Sequence, residues 1–375
     1  MLLITLVFVA CLFVSSVCAE DVNGDVSDNL TSVNGSVDVL KEDQSVNSSE
    51  VLTTDAGTFT ALNTKISSAS EGQTVDLENN YTYTDSDSSY INGIKITKSI
   101  TIDGHGFTID ASNMARVFNI SADGVILKNI IIKNACINDT INFGSNPQVN
   151  QNITLSSGAA ILWSGNNGVL NNTQIINSNI YTETSFINTA DVNVTYYIAS
   201  GAAVFWSGDN GVIENTNISD STVEYLLNVK YNKWSETNCN ITRNVAFGSA
   251  VYMGGNNGVI RKVQVKNTFV NGTYNQTDAA GVNTNVALIT SNHKVPEKYG
   301  TVYIGGNKTT VENSVFTNNT NSSYGGAIYW LGHNGTIKST TFDSNNATYA
   351  GAVYWNGENG TVLDSNFSNN SASYG

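Results

Sequence analysis

Two prolines and three histidines are all that 375 residues contain, and only 17 residues are lysine or arginine. Charged residues make up 13% of the chain, and acids outnumber bases 31 to 17, giving a net charge of -14. Such a surface repels phosphate backbones and anionic lipid headgroups, so nucleic-acid and electrostatic membrane partners are not expected. Scarce histidine with no ligand spacing argues against a metal or cofactor site. Four cysteines are too few for a disulfide framework, and two of them, Cys11 and Cys18, fall in the first nineteen residues. That leaves Cys136 and Cys239 as the one pair that an oxidising exterior would permit to join, with free thiols the alternative.

The one long apolar run spans residues 2–17 and is followed by Cys18, Ala19 and the acids Glu20 and Asp21. Its length and position read as a secretory signal over 1–19, not as a spanning helix. Residues 20–56 are acidic and rich in Ser, Asn and Val, as in a flexible leader. From Gly57, Phe59, Leu62, Ile66 and Ala69 share one helical face before Gly72, and the strand "TVDLE" follows. Residues 57–93 are therefore expected to form a helical cap over the open apolar end of what comes next.

What comes next is repetition. "GAAILWSGNNGVL" from Gly158 returns as "GAAVFWSGDNGVI", "GSAVYMGGNNGVI", "GTVYIGGNKTTV", "GAIYWLGHNGTI" and "GAVYWNGENGTV", with a weaker copy in "RVFNISADGVIL" from Arg116. Short β-branched stretches broken by Gly-Asn turns at a period near 25 predict a parallel β-solenoid over 94–375. About eight coils of roughly three strands each are expected, with like residues stacked one strand spacing apart. A downstream apolar column, Ile131, Ile175, Ile218, Val265, Phe316, Phe342 and Phe367, is followed three residues on by a small polar one, Asn134, Ser178, Ser221, Thr268, Asn319, Asn345 and Asn370. The first is expected in the core and the second as a hydrogen-bonded ladder at the corners.

Successive Ile/Val positions from Val117 through Ile161, Val204, Val251 and Val302 are 44, 43, 47 and 51 residues apart, then 26 and 25 to Ile328 and Val353. The longer steps imply four insertions at one corner, about Asn138–Ser157, Tyr181–Ser200, Glu224–Phe247 and Asn271–Tyr299. Stacked side by side, they are expected to pair into a flanking lobe that carries recognition. A disordered, glycan-decorated fringe is the competing reading.

Alternation along the motif strand puts its Trp and aliphatic positions on one face and its Phe/Tyr position on the other. Phe205, Tyr252, Tyr303, Tyr329 and Tyr354 are thus a candidate exposed stripe for sugars or partner proteins, against the simpler reading that stacked rings stiffen the sheet. Roughly twenty Asn-x-Ser/Thr sequons, Asn119, Asn217, Asn334 and Asn359 among them, are candidate glycan acceptors in an exported chain. "DGHG" at Asp103–Gly106 is read as a turn, because no neighbouring coil offers an acidic pair to face His105, and no catalytic residue is assigned.

Taken together, "INGIKITKSITIDGHGFTIDASNMARVFNISADGVILKNIIIKN" with "GGAIYW", "NGTI" and "FDSNNATYAGAVYW" closely resembles the exported adhesin-like proteins of methanogenic archaea. The pairing of "FTNN", "FDSN" or "FSNN" with a following Gly-Ala strand is similar to the repeat of chlamydial polymorphic outer-membrane proteins. The resemblance covers about 57–375 and implies a right-handed parallel β-helix of the pectate-lyase shape, displayed on the cell surface. It implies attachment to glycans or proteins of neighbouring or host cells, with no cofactor. It also implies C-terminal tethering modules, so that the chain, stopping where another "GGAIYW" would start, is expected to be a truncated piece. Polysaccharide lyases and hydrolases share the fold, which keeps a carbohydrate-active enzyme as the alternative, beside a non-binding spacer.

Overall fold

The computed structural model describes residues 57–142, 151–154, 156–188, 194–231, 241–277, 298–321 and 323–375. The signal and leader segments, Cys239 and the tips of the four insertions lie outside the described residues.

The chain is all-β apart from its start. Each circuit lays one three-residue strand onto each of three sheets, as in Ile161–Trp163, Val169–Asn171 and Gln174–Ile176, and then one onto a fourth sheet. The first sheet has eight strands, from Asn92–Ile96 to Val353–Trp355. The second and third have nine each, ending in Thr361–Leu363 and Asn366–Ser368. Pairing is parallel and in register, Ile161 on Val204 on Val251 on Val302, so this is a parallel β-helix as expected.

Three strands per coil is one too few. The fourth sheet runs from Cys136–Asn142 through Asn179–Asn188, Thr222–Tyr231 and Phe269–Thr277 to Ser371–Tyr374. Its members reach ten residues because they continue out of the coil as the first limbs of the insertions. Their inner ends mix polar residues such as Asn179 and Thr222 with the buried Ile180, Val223 and Val270, too short a run before each insertion to be read as a separate strand from sequence.

The weak first copy is also one residue out of step with the sequence alignment. Ile161 lies opposite Phe118, not Val117, and Leu170 opposite Leu127, not Ile126. The Val117 and Phe118 amides both donate to the Ala160 carbonyl, a local irregularity that absorbs the extra residue. A slip of one exchanges faces, and Leu127 and Ile132 accordingly are buried where Ile126 and Ile131 are only partly covered. The small polar column therefore begins at Ala135, on the inner face one coil before Ser178, not at Asn134.

Corners explain the asparagine content. Asn167, Asn210, Asn257, Asn334 and Asn359 all hold φ between 55° and 58°, a left-handed conformation that Asn tolerates better than most residues. Two further corners repeat the device at Asn172, Asn215 and Asn313, and at Asn177, Asn267 and Asn318. Inside, Trp163, Trp206 and Trp330 are fully buried with the aliphatic column, and Trp163 stacks on Trp206 at 4.0 Å. The glycine that closes the turn is there for these rings: a Cβ on Gly211 would lie 2.4 Å from Trp206 Cε2, although Gly211 itself has no positive φ. Where the ring is replaced by Ile304, the glycine is replaced by the buried Thr309, and beside Ile120 stands Val125.

The small polar column, expected at the corners, is instead interior. Asn345 is fully buried, its amide donating to the carbonyl of Phe316 and to Asn370 Oδ1 at 2.9 Å each, while its Oδ1 accepts from Asn319. At the other end, helix Phe59–Ser68 buries Phe59, Leu62, Ile66 and the following Ala69 against the first coil, capped by Thr58. Buried Asp87 ties the helix to the 3-10 turn Asp85–Tyr90 by accepting from Thr60 N and Oγ1 and from Thr84 N and Oγ1.

Candidate functional site

Three regions carry the residues singled out from sequence. The Phe/Tyr stripe does leave the core, but it is not an exposed ladder. Its rings stack nearly parallel, at 4.5 Å for Phe205–Tyr252, 5.0 Å for Tyr252–Tyr303, 5.6 Å for Tyr303–Tyr329 and 5.3 Å for Tyr329–Tyr354. A second ladder, Phe247, Tyr299, Tyr324, Tyr349 and Tyr374, covers it, with edge-on contacts such as Phe247–Tyr303 at 4.8 Å and Tyr324–Tyr354 at 5.0 Å. Tyr303 and Tyr329 are only 8% and 9% exposed, and Phe205, Tyr252 and Tyr354 are half-buried. The expectation of an open sugar-stacking surface is therefore corrected. The signal was present: an aromatic stands just ahead of the glycines in "FGSA", "YGTV", "YGGA" and "YAGA".

This aromatic block has a mechanical consequence. Phe247 and Tyr299 end the strands Ile241–Phe247 and Lys298–Tyr299, which belong with Gln151–Thr154 and Val194–Ser200 to a fifth, four-stranded sheet. That sheet is the return limb of the insertions. Outgoing strands pair in register over ten residues, Asn179 on Thr222 through Asn188 on Tyr231, and returning ones pair from Val194 on Ile241 onward. The insertions thus form two parallel β limbs rooted at one flank, and the edge-on rings, worth about 0.5–1.5 kcal/mol per pair, hold the return limb to the body.

The third region lies on the second sheet. Asp76 and Asp103 are register partners on adjacent strands, and His105 sits in the turn after Asp103 with φ 48°. His105 Nε2 is 2.8 Å from Asp76 Oδ1, and its Nδ1 is 3.8 Å from Asp103 Oδ1. The turn reading of His105 stands, and the neighbouring coil faces it with one acid, Asp76, rather than a pair. Of the two acids in "TVDLE", Asp76 faces His105 and Glu78 pairs with Lys65 of the cap helix.

These three side chains are close enough to share an ion, yet Asp103 is already saturated. It accepts from Asn129 Nδ2 at 2.8 Å, from Lys128 Nζ at 2.9 Å and from the His105 amide at 3.1 Å. Burial alone would raise its pKa. The hydrogen bonds from Asn129, Lys128 and His105, with the Lys128 charge, outweigh burial and hold it at about 2. A cation would have to displace an ammonium group to reach it.

From this cluster a shallow groove of about 360 Å³ runs along successive corners, past Asn129, Asn172 and Asn215. The Asn172 amide donates to Asn129 Oδ1 at 2.7 Å and Asn215 to Asn171 Oδ1 at 2.9 Å.

Of the sequon residues, Asn217, Asn334 and Asn359 are exposed, and Asn119 is half-buried in the Phe/Tyr column opposite Leu162. Cys136 is a free thiol, half-buried, and burial pushes its pKa up. No disulfide is seen at Cys136, and Cys239 is outside the described residues. Among the described residues no helix is long and apolar enough to cross a membrane. Compared with known proteins, the chain matches no protein-family model, no curated protein and no solved structure.

Proposed function

We propose that this chain is the scaffold and recognition part of an exported, adhesin-like protein that attaches a cell to glycans or proteins of its neighbours or host. One observation carries the reading: insertions of successive coils leave through one sheet and return through another, stacked in register on a single flank. A mere spacer has no use for them, whereas a repeat body that presents paired limbs in a row offers an extended contact surface. The apolar run of 1–19 supports export, and the net negative charge suits a partner recognised by hydrogen bonding over one recognised by phosphate.

The test is retention of the secreted chain on immobilised polysaccharides, mucins and whole cells. Replacing residues 228–244 of the third insertion by a two-residue turn should weaken retention while leaving Tyr225 and Phe247 in place. Unchanged retention on every surface would remove the limbs from the account.

The Asp76–His105 contact favours one second reading, a polysaccharide-cleaving enzyme. Asp103, with its carboxyl held ionised at about 2, is a poor general acid. Asp76 and His105 would then have to act alone, and release of reducing ends, abolished in His105→Ala, would establish that reading.

A further inference from the structure

Beyond the limbs, the corner groove has the chemistry of a binding site. Gln174 and Asn217 are register partners on the third sheet, both exposed, and Gln264 follows on the next coil. The side chains of Gln174 and Asn217 make no hydrogen bond among the described residues. They stand beside the exposed corner amides of Asn172 and Asn215, along one wall of the groove. Each free carboxamide offers two donors and an acceptor, repeated at the strand spacing of roughly 4.8 Å. Ile131, half-buried, adds an apolar patch at the end near His105.

Charge decides the class of ligand. Of the cations near the groove, Lys128 is neutralised by Asp103 at 2.9 Å, Lys133 by Asp110 at 3.0 Å and Arg261 by Glu214 at 2.6 Å, while the exposed Lys262 holds the corner one coil past Asn215, beyond the lining residues. Among the described residues no unpaired cation lines the groove, so a polyanion seated there would meet a free charge only at Lys262, past the end of the lining. What is free is amide, and amides in a row match the hydroxyls of a neutral sugar polymer, whose ring spans about one strand spacing. The volume of 360 Å³ lies within the range of small-ligand sites, about 300–1,000 Å³.

We infer that the groove binds an extended, neutral oligosaccharide lying along the stack, its hydroxyls on Gln174, Asn217 and the corner asparagines. The inference rests on the attachment reading above and gives it a second, separate contact surface. Asn217 is also a sequon residue, so the groove takes an outside glycan only where Asn217 carries none of its own.

The experiment is titration of the full chain, made in a host without N-glycosylation, with neutral gluco- and manno-oligosaccharides of two to six units and with oligogalacturonate. Affinity should rise with length among the neutral sugars and fall about tenfold in Gln174→Ala/Asn217→Ala, two lost hydrogen bonds. Lys338→Ala, on an outward position three coils beyond Asn217, should bind as the parent does. No neutral sugar bound, a preference for the uronate, equal binding by the double variant, or a glycopeptide at Asn217 in the native protein would each overturn the inference. Cell retention that survives the double variant but is lost on shortening the third insertion would leave attachment standing and remove the groove.

Discussion

Exchanging Gly211 for alanine adds one methyl to a fully closed space. Its Cβ would lie 2.4 Å from Trp206 Cε2 and 2.6 Å from Nε1, and that ring is fully buried and stacked on Trp163. It cannot swing aside, so Gly211→Ala should cost about 1–3 kcal/mol as overpacking, toward the upper end. The backbone makes no demand for glycine here, which separates this cost from conformational strain. Trp206→Ile opens a cavity and should by itself cost on the order of 2–4 kcal/mol. In that background, however, Gly211→Ala should be neutral or gain about 0.4–1 kcal/mol, because the methyl has room and the unfolded chain loses freedom. The chain shows the precedent in Ile304 beside Thr309. The coupling energy from the four proteins should therefore be about 2–3 kcal/mol. Denaturant midpoints would measure it, with hydrogen exchange at Ile213 and its register neighbours as the local readout, since stacked coils can open independently. An equal cost of Gly211→Ala in both backgrounds, or none in the parent, would refute the Trp–Gly pairing.

Asn345→Ala should lower the unfolding free energy by about 3 kcal/mol or more, read from the denaturant midpoint, since it leaves the Phe316 carbonyl and the Asn319 amide unpaired inside and frees the half-buried Asn370. Tyr299→Ala, which opens the centre of the double aromatic ladder, should cost about 3–5 kcal/mol and raise exchange in Ile241–Phe247 before the body melts. Asp103 has a depressed pKa, so its stabilisation is complete above the unfolded value near 4 and is lost as pH falls through about 2. An acid titration of stability should accordingly flatten between pH 4 and 2 in Asp103→Asn relative to the parent. The half-buried thiol of Cys136, its pKa raised by burial, should react slowly with a thiol reagent at pH 7 and faster only as the pH rises past its ordinary titration range.

The coil arrangement, the buried Trp and aliphatic columns, the cap helix and the common corner of the insertions were all legible in the sequence, whereas the Asn ladder was expected at the corners and lies inside. Each depends on spacing along the chain: a period of two puts Ile161 and Trp163 on one face, and a period of 25 puts Ile328 under Val353. Stacking then makes a column of letters into a column of contacts. The strands that seed the fourth sheet were not legible, because each brings only one or two inward apolar residues, such as Ile180, Val223 or Val270, and their order comes from the neighbours above and below.

What only tertiary structure decided is which outward-facing residues stay outward. Tyr329 points away from the core as its alternation demands, yet Tyr299 and Tyr324, thirty and five residues earlier, fold over it. Asp76 looks alone in sequence and meets His105 because one coil brings it there. Alternation assigns a side chain to a face. Whether that face meets solvent depends on chain segments far away in sequence, and their positions are set by the coil lengths and insertions between them.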